Sequence, residues 1–145
     1  MLRPMDRRGN AEWRGGLKDG QGTVSTESGV LKGVNYSFAK RFGDEAGTNP
    51  EELLAAAHAA CFSMAFSGQL GEAGLTAEYV RTTATATLEK TDAGFGITKV
   101  HLEMRAKVPG ADQAAFEKAA NNAKAGCPVS KLFNAQITLD AKLEG

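Results

Sequence analysis

The stretch from Leu53 to Phe66 carries apolar or small side chains on nearly every helical face. Thr48-Asn49-Pro50-Glu51-Glu52 precedes it as a helix start. Asn49 suits the cap, Pro50 the first helical position, and the two acids the positive end of the helix dipole. The spacing predicts a helix from Pro50 to about Glu72, ending before Gly74. A helix that is apolar all round must be buried on all sides. Ala55, Ala56, Ala57, Ala59 and Ala60 leave room for other backbones to approach closely. The apolar stretch, interrupted by His58, is too short to span a bilayer. A chain of 145 residues has little material with which to wrap such a helix. A second subunit is therefore expected to cover part of it, as in an obligate homodimer.

The remaining chain supplies strands and two further helices. Glu12-Trp13-Arg14 and Thr23 to Thr26 read as strands, with a turn around Glu27-Ser28-Gly29. Val34 to Phe38 alternates, placing Val34, Tyr36 and Phe38 on one face, and Arg41 to Gly47 reads as a loop. Tyr79 to Glu89 alternates, Thr91 to Gly94 turns, and Val100 to Val108 returns with one apolar and one wet face. Asp112 to Ala125 is a helix with Phe116, Ala119, Ala120 and Ala123 on one stripe and Gly126 as its C-cap. Cys127-Pro128 opens a short helix to about Asn134, and Ile137 to Leu143 is a last alternating strand. The sum is a single α+β domain over residues 1–145, with antiparallel sheet and segregated helices. Met1 to Met5 reads as an N-terminal extension ahead of an alternative start.

Charge excludes little but points away from some partners. Lys and Arg number 17, as do Asp and Glu, so the formal net charge is zero. Nothing suggests a nucleic acid or a membrane surface as partner. The start of the chain does not resemble a secretory signal, and the expected compartment is the cytoplasm, where thiols stay reduced. Two distant cysteines in such a chain are more often buried, metal-bound or catalytic than a structural disulfide. Cys127 sits before Pro128 at a helix start, where backbone N–H groups favour a thiolate. Cys61 lies in the apolar helix, where burial raises a thiol pKa, so a reactive Cys61 needs a nearby cation. Either cysteine is equally readable as an ordinary packed residue. His58 and Cys61 share a helix face, and with Cys127 and His101 they would make four metal ligands, but no paired ligand spacing supports this. His58 reads as a satisfied core histidine or a second-layer partner of Cys61 rather than a general base.

Four segments in order carry a resemblance over nearly the whole chain after Met5. They are Gly22 to Leu31, Gly47 to Met64 (with Asn49-Pro50-Glu51-Glu52 and His58-Ala59-Ala60-Cys61), Asp92 to Lys99, and Lys124 to Ser130. Together they resemble the OsmC family, osmotically inducible protein C and its relatives, which includes the organic hydroperoxide resistance proteins. The resemblance implies intertwined homodimers in which antiparallel sheets wrap central helices, with active sites at the subunit interface. It implies a thiol peroxidase of organic hydroperoxides, and of hydrogen peroxide to some degree, serving the response to oxidative or osmotic stress. No metal or cofactor is implied; an external dithiol is the expected reductant. Cys61 corresponds to the peroxidatic cysteine, Cys127 to the resolving cysteine, Glu51 to the family's glutamate and Arg41 to its arginine; the sister group carries that arginine near the N-terminus, where Arg14 is the nearest candidate in this chain.

The chemistry implied is self-consistent. A thiolate attacks the distal peroxide oxygen and becomes a sulfenic acid, and a second thiol condenses with it to a disulfide that a dithiol resets. Arg41 would stabilise the thiolate and Glu51 would orient its guanidinium. Glu51 and Cys61 are ten positions apart, about 15 Å along a straight helix, so they are expected to serve different sites, with Glu51 and Arg41 acting on the Cys61 of the other subunit. The competing readings are a redox sensor or ligand-binding protein on the same fold, and a structural dimer with an inert core cysteine. Phe62, Met64 and Phe66 are candidates for an apolar pocket but read first as core.

Overall fold

The computed structural model describes residues 3–145. Of the expected extension, Met1 and Leu2 lie outside the described residues. The chain clusters into two compact units, one up to Pro50 and one from Glu51 to Gly145.

In the first unit, β1 (Gly9–Arg14), β2 (Gln21–Thr26) and β3 (Val34–Tyr36) form an antiparallel sheet in that order. Trp13, Gly22 and Tyr36 lie in one cross-strand row. Gly22 has no side chain, so the two aromatic rings close over it with centroids 5.5 Å apart. A Cβ there would fall 2.6 Å from atoms of both rings. Gly29, at φ 80°, makes the turn between β2 and β3, and its N–H donates to the Thr26 carbonyl. The expected strand to Phe38 stops at Tyr36. Ser37 caps a short helix instead, α1 (Phe38–Phe42), its hydroxyl accepting from the Lys40 N–H at 3.3 Å. Local capping outweighs the alternation of Val34, Tyr36 and Phe38. Arg41 consequently sits on a helix rather than in a loop.

The second unit is built around α2 (Pro50–Glu72), the helix the sequence predicts. It is followed by the hairpin β4 (Tyr79–Thr91) and β5 (Gly94–Lys107), then α3 (Gln113–Gly126), α4 (Pro128–Leu132) and β6 (Gln136–Glu144). A two-residue turn, Asp92-Ala93, joins β4 to β5, with Gly94 at φ 107°. The last strand corrects the expectation of an all-antiparallel arrangement: β6 pairs with β5 in parallel. Parallel pairing needs a long crossover, which α3 and α4 supply. The register puts Ala84, Leu102 and Leu139 in one row and Thr82, Met104 and Ala141 in the next. This face packs with Phe62, Phe66 and Leu70 of α2 and with Phe116, Ala119, Ala120 and Ala123 of α3. The Phe66 ring meets the edge of Phe116 with centroids 5.5 Å apart.

Two helix details differ from expectation. Gly126 is the last residue of α3, and the extended Cys127 is its C-cap, because Cys127 also caps the next helix. More consequentially, α2 is not buried on all sides within one chain. His58, Phe62, Phe66 and Leu70, spaced by four, form its buried ridge, together with Glu51. Ala56, Ala57, Ala60 and Met64 are exposed, Met64 at 79%. The helix is also longer than its apolar stretch. By length and composition alone, its 23 residues suffice to cross a membrane, so the bilayer is not excluded on length.

Candidate active site

The two cysteines, far apart in sequence, meet where the middle of α2 faces the start of α4. Both are free thiols. Cys61 lies on α2 and is half-buried. Its Sγ accepts a hydrogen bond from the backbone N–H of Val129 at 3.5 Å. Cys127 is 0% exposed. It caps α4, its Sγ accepting from the Ser130 N–H at 3.4 Å, and Pro128 follows at the first helical position. A proline there has no N–H to lose and is preset for the helix, so Cys-Pro folds locally into this cap.

The electrostatics of Cys61 follow from its surroundings. Burial pushes its thiol above the ordinary range, and a hydrogen bond and charge interaction with Cys127 push the same way. The Val129 N–H opposes them, because it favours the thiolate. The upward causes prevail, so the groups around Cys61 in this chain do not by themselves make it a strong nucleophile.

A polar chain extends from Cys127 into α2. Ser130 Oγ lies 3.2 Å from Cys127 Sγ and 2.7 Å from His58 Nε2. His58 is fully buried, with its ring edge-on to Phe133 at 5.3 Å between centroids. Burial lowers its pKa, which keeps the imidazole neutral. The expected satisfied histidine is only half satisfied: Nδ1 is buried and has no hydrogen-bond partner among the described residues. Its polar contact is with Ser130, and through Ser130 with Cys127. Sequence reasoning passed over Ser130. The available signal was its place three residues after the cap Cys127, where a backbone N–H and a hydroxyl both turn back toward the capping atom.

The unsupported four-ligand set of His58, Cys61, Cys127 and His101 does not assemble among the described residues. Among the described residues, the group with ligating atoms close enough to share an ion is His101, Glu103 and Asp140, on the wet face of β5 and β6. His101 is instead bonded to Thr138 through Nδ1.

Glu51 opens α2 and is 8% exposed. It lies ten positions before Cys61 on the same uninterrupted helix, about 15 Å away along the axis. Arg41, in the first unit, is exposed on α1, its guanidinium carbon 5.1 Å from the centre of the Phe42 ring. With Trp13 and Tyr36 it lines a cavity of about 240 Å³ within that unit. Arg14, the alternative arginine, pairs with Glu12 at 2.6 Å on the surface.

Over most of its length the chain is similar to known proteins. The sequence model of the family described as OsmC-like protein matches residues 43–142. The chain is 56% identical over 138 residues to Peroxiredoxin OsmC of Escherichia coli, covering 95% of this chain and 96% of that protein. It is 29% identical to the organic hydroperoxide resistance protein OhrB of Bacillus subtilis, over 85% of this chain and 88% of the other. A crystal structure of an organic hydroperoxide resistance protein OsmC from Legionella pneumophila superposes with a TM-score of 0.69 at 27% identity, covering 95% of this chain and 97% of that one. With its paired thiols, its helix-and-sheet architecture and a match over most of its length, the chain belongs to the OsmC family.

Proposed function

We propose that this protein is a thiol-dependent peroxidase that reduces organic hydroperoxides, and hydrogen peroxide to some degree, through Cys61 and Cys127. One observation carries the reading: the half-buried Cys61 Sγ is bonded to the backbone two residues after the fully buried Cys127. Exposure separates the roles. A peroxide can reach Cys61, whereas Cys127 has no open surface and can react only with what Cys61 becomes. Cys61 thiolate attacks the distal oxygen of ROOH, the O–O bond breaks, ROH leaves, and Cys61 becomes a sulfenic acid. Cys127 sulfur then displaces hydroxide from that sulfur, forming the Cys61–Cys127 disulfide and water, and an external dithiol restores both thiols. No metal or cofactor enters this scheme.

The raised pKa of Cys61 leaves the chemistry one cation short. Arg41 is the residue we assign to that cation, oriented by Glu51, as Arg–carboxylate pairs can do with two-point geometry. Because Glu51 is a helix length of about 15 Å from the Cys61 of its own chain, both are assigned to act across a homodimer interface. The exposed face of α2, with Ala56, Ala57, Ala60 and Met64, favours that dimer, since small side chains let a second helix approach closely. Each subunit then acts as one functional domain. A soluble, cytoplasmic protein that serves oxidative or osmotic stress fits the reduced thiols, and a covered α2 in the dimer makes a membrane unnecessary.

The deciding assay is reductant-dependent consumption of cumene hydroperoxide and hydrogen peroxide. Cys61→Ser should abolish turnover, and Cys127→Ser should stop it after one sulfenic acid per subunit. Full activity in Cys61→Ser sinks the mechanism, and absence of turnover in the wild type leaves the same fold as a sensor or binding protein.

A further inference from the structure

We infer that Ser130 and His58 form a proton relay for the resolving step, Ser130 passing the Cys127 thiol proton to His58 as the disulfide closes; this rests on the roles proposed for Cys61 and Cys127. Resolution requires the buried Cys127 to lose a proton at the moment its sulfur attacks. Cys127 is 0% exposed, His58 0% and Ser130 8%, so bulk water and buffer bases have no ready access to that thiol. The proton must leave through protein groups. The hydroxyl 3.2 Å from Cys127 Sγ belongs to Ser130, and the same oxygen is 2.7 Å from His58 Nε2. A hydroxyl both donates and accepts, so it can take the proton on one side while releasing its own on the other.

The histidine is arranged as an acceptor. Burial holds the imidazole neutral. With its proton on Nδ1, which has no partner among the described residues, Nε2 is free to accept from Ser130. Leaving a buried polar nitrogen unpaired is costly, and an apolar residue at the same place would avoid that cost. A histidine kept there at that expense fits a group that must change protonation during turnover. Meanwhile the Ser130 N–H, 3.4 Å from Cys127 Sγ, stays in place to bond the forming thiolate.

The step balances. Cys61–SOH and Cys127–SH give Cys61–S–S–Cys127 and water. The S–O bond breaks as the S–S bond forms; the Cys61 sulfur is reduced and the Cys127 sulfur oxidised. The Cys127 proton passes through Ser130 to His58; the hydroxide leaves on the half-exposed Cys61 side and takes a proton from solvent there, and His58 later releases one, so water is the net product. The same burial that keeps His58 neutral in the resting protein drives it to give the proton back. Ser130 touches a reacting atom. His58 acts through it and is a positioning and proton-holding residue.

The test uses the full-length reduced protein mixed with one equivalent of cumene hydroperoxide. Cys61 sulfenic acid is trapped with dimedone, and disulfide closure is followed by non-reducing mass analysis. In Ser130→Ala and in His58→Gln, closure should slow by about a hundredfold or more, the low end of what a positioned proton acceptor contributes, and the dimedone adduct on Cys61 should accumulate. Gln at position 58 keeps a hydrogen bond to Ser130 but cannot take a proton. Wild-type closure in His58→Gln therefore overturns the relay, since hydrogen bonding alone would suffice, and wild-type closure in Ser130→Ala overturns it as well. Absence of sulfenic acid on Cys61 of the Cys127→Ser variant, where nothing can resolve it, would remove the underlying two-cysteine reading, and the relay with it.

Discussion

The Sγ of Cys61 accepts its hydrogen bond from the Val129 N–H at 3.5 Å, which ties the middle of α2 to the first turn of α4. This contact is the one influence around Cys61 that favours its thiolate; burial and Cys127 act against it. The sign of the pH dependence follows. A thiol raised above its ordinary pKa is mostly protonated at neutral pH, so its alkylation rate climbs with pH through and beyond the usual thiol range. If Arg41 offsets that rise in the assembled protein, Arg41→Gln should slow iodoacetamide labelling of Cys61 at neutral pH by about tenfold, in line with the effect of one nearby opposite charge, and move the profile to higher pH. An unchanged profile assigns Arg41 no part in activating Cys61.

Gly22 has a packing role that a substitution will expose. A Cβ at this position would meet the rings of Trp13 and Tyr36 at 2.6 Å. Gly22→Val should destabilise the first unit by about 1–3 kcal/mol, the range for overpacking. Trp13 is the single tryptophan of the chain, so its fluorescence reports this sheet directly. A shift of the Trp13 unfolding midpoint to lower urea is the expected result, and an unchanged midpoint means the pair yields without cost.

Met64 tests the dimer. It is 79% exposed on an α2 face otherwise made of small residues. Met64→Asp puts a charge where a second helix is proposed to pack, and burying an unpaired charge is strongly unfavourable. Sedimentation velocity should give a dimer for the wild type and a monomer, or a dimer weakened at least a hundredfold, for the variant. A wild-type monomer at micromolar concentration rules out the shared site.

Much of the architecture was legible because it rests on local chemistry. Pro50-Glu51-Glu52 announced the start of α2, and its last residue fell at Glu72 as the spacing predicts. The alternation of Val100, Leu102, Met104 and Ala106 identified the buried face of β5, and Phe116, Ala119, Ala120 and Ala123 the buried stripe of α3. Misreadings arose where two local signals competed. Ser37 capped α1 and cut the strand short before Phe38. Cys127 served as C-cap and N-cap at once, which displaced Gly126 from the capping role.

Sequence alone marked most of the elements, the buried faces of β5 and α3, the two thiols as candidates and the family, because periodicity, capping and short motifs are properties of neighbouring residues. Only the tertiary structure decided that β6 runs parallel to β5, since a strand's own pattern is blind to its partner's direction. The fold alone also brought Ser130 between Cys127 and His58, residues separated by most of the second unit. It left Cys61 half-open and Cys127 closed as well. Burial and hydrogen bonding are sums over contacts distant in the chain, and those sums separate a thiol that meets substrate from one that waits for it.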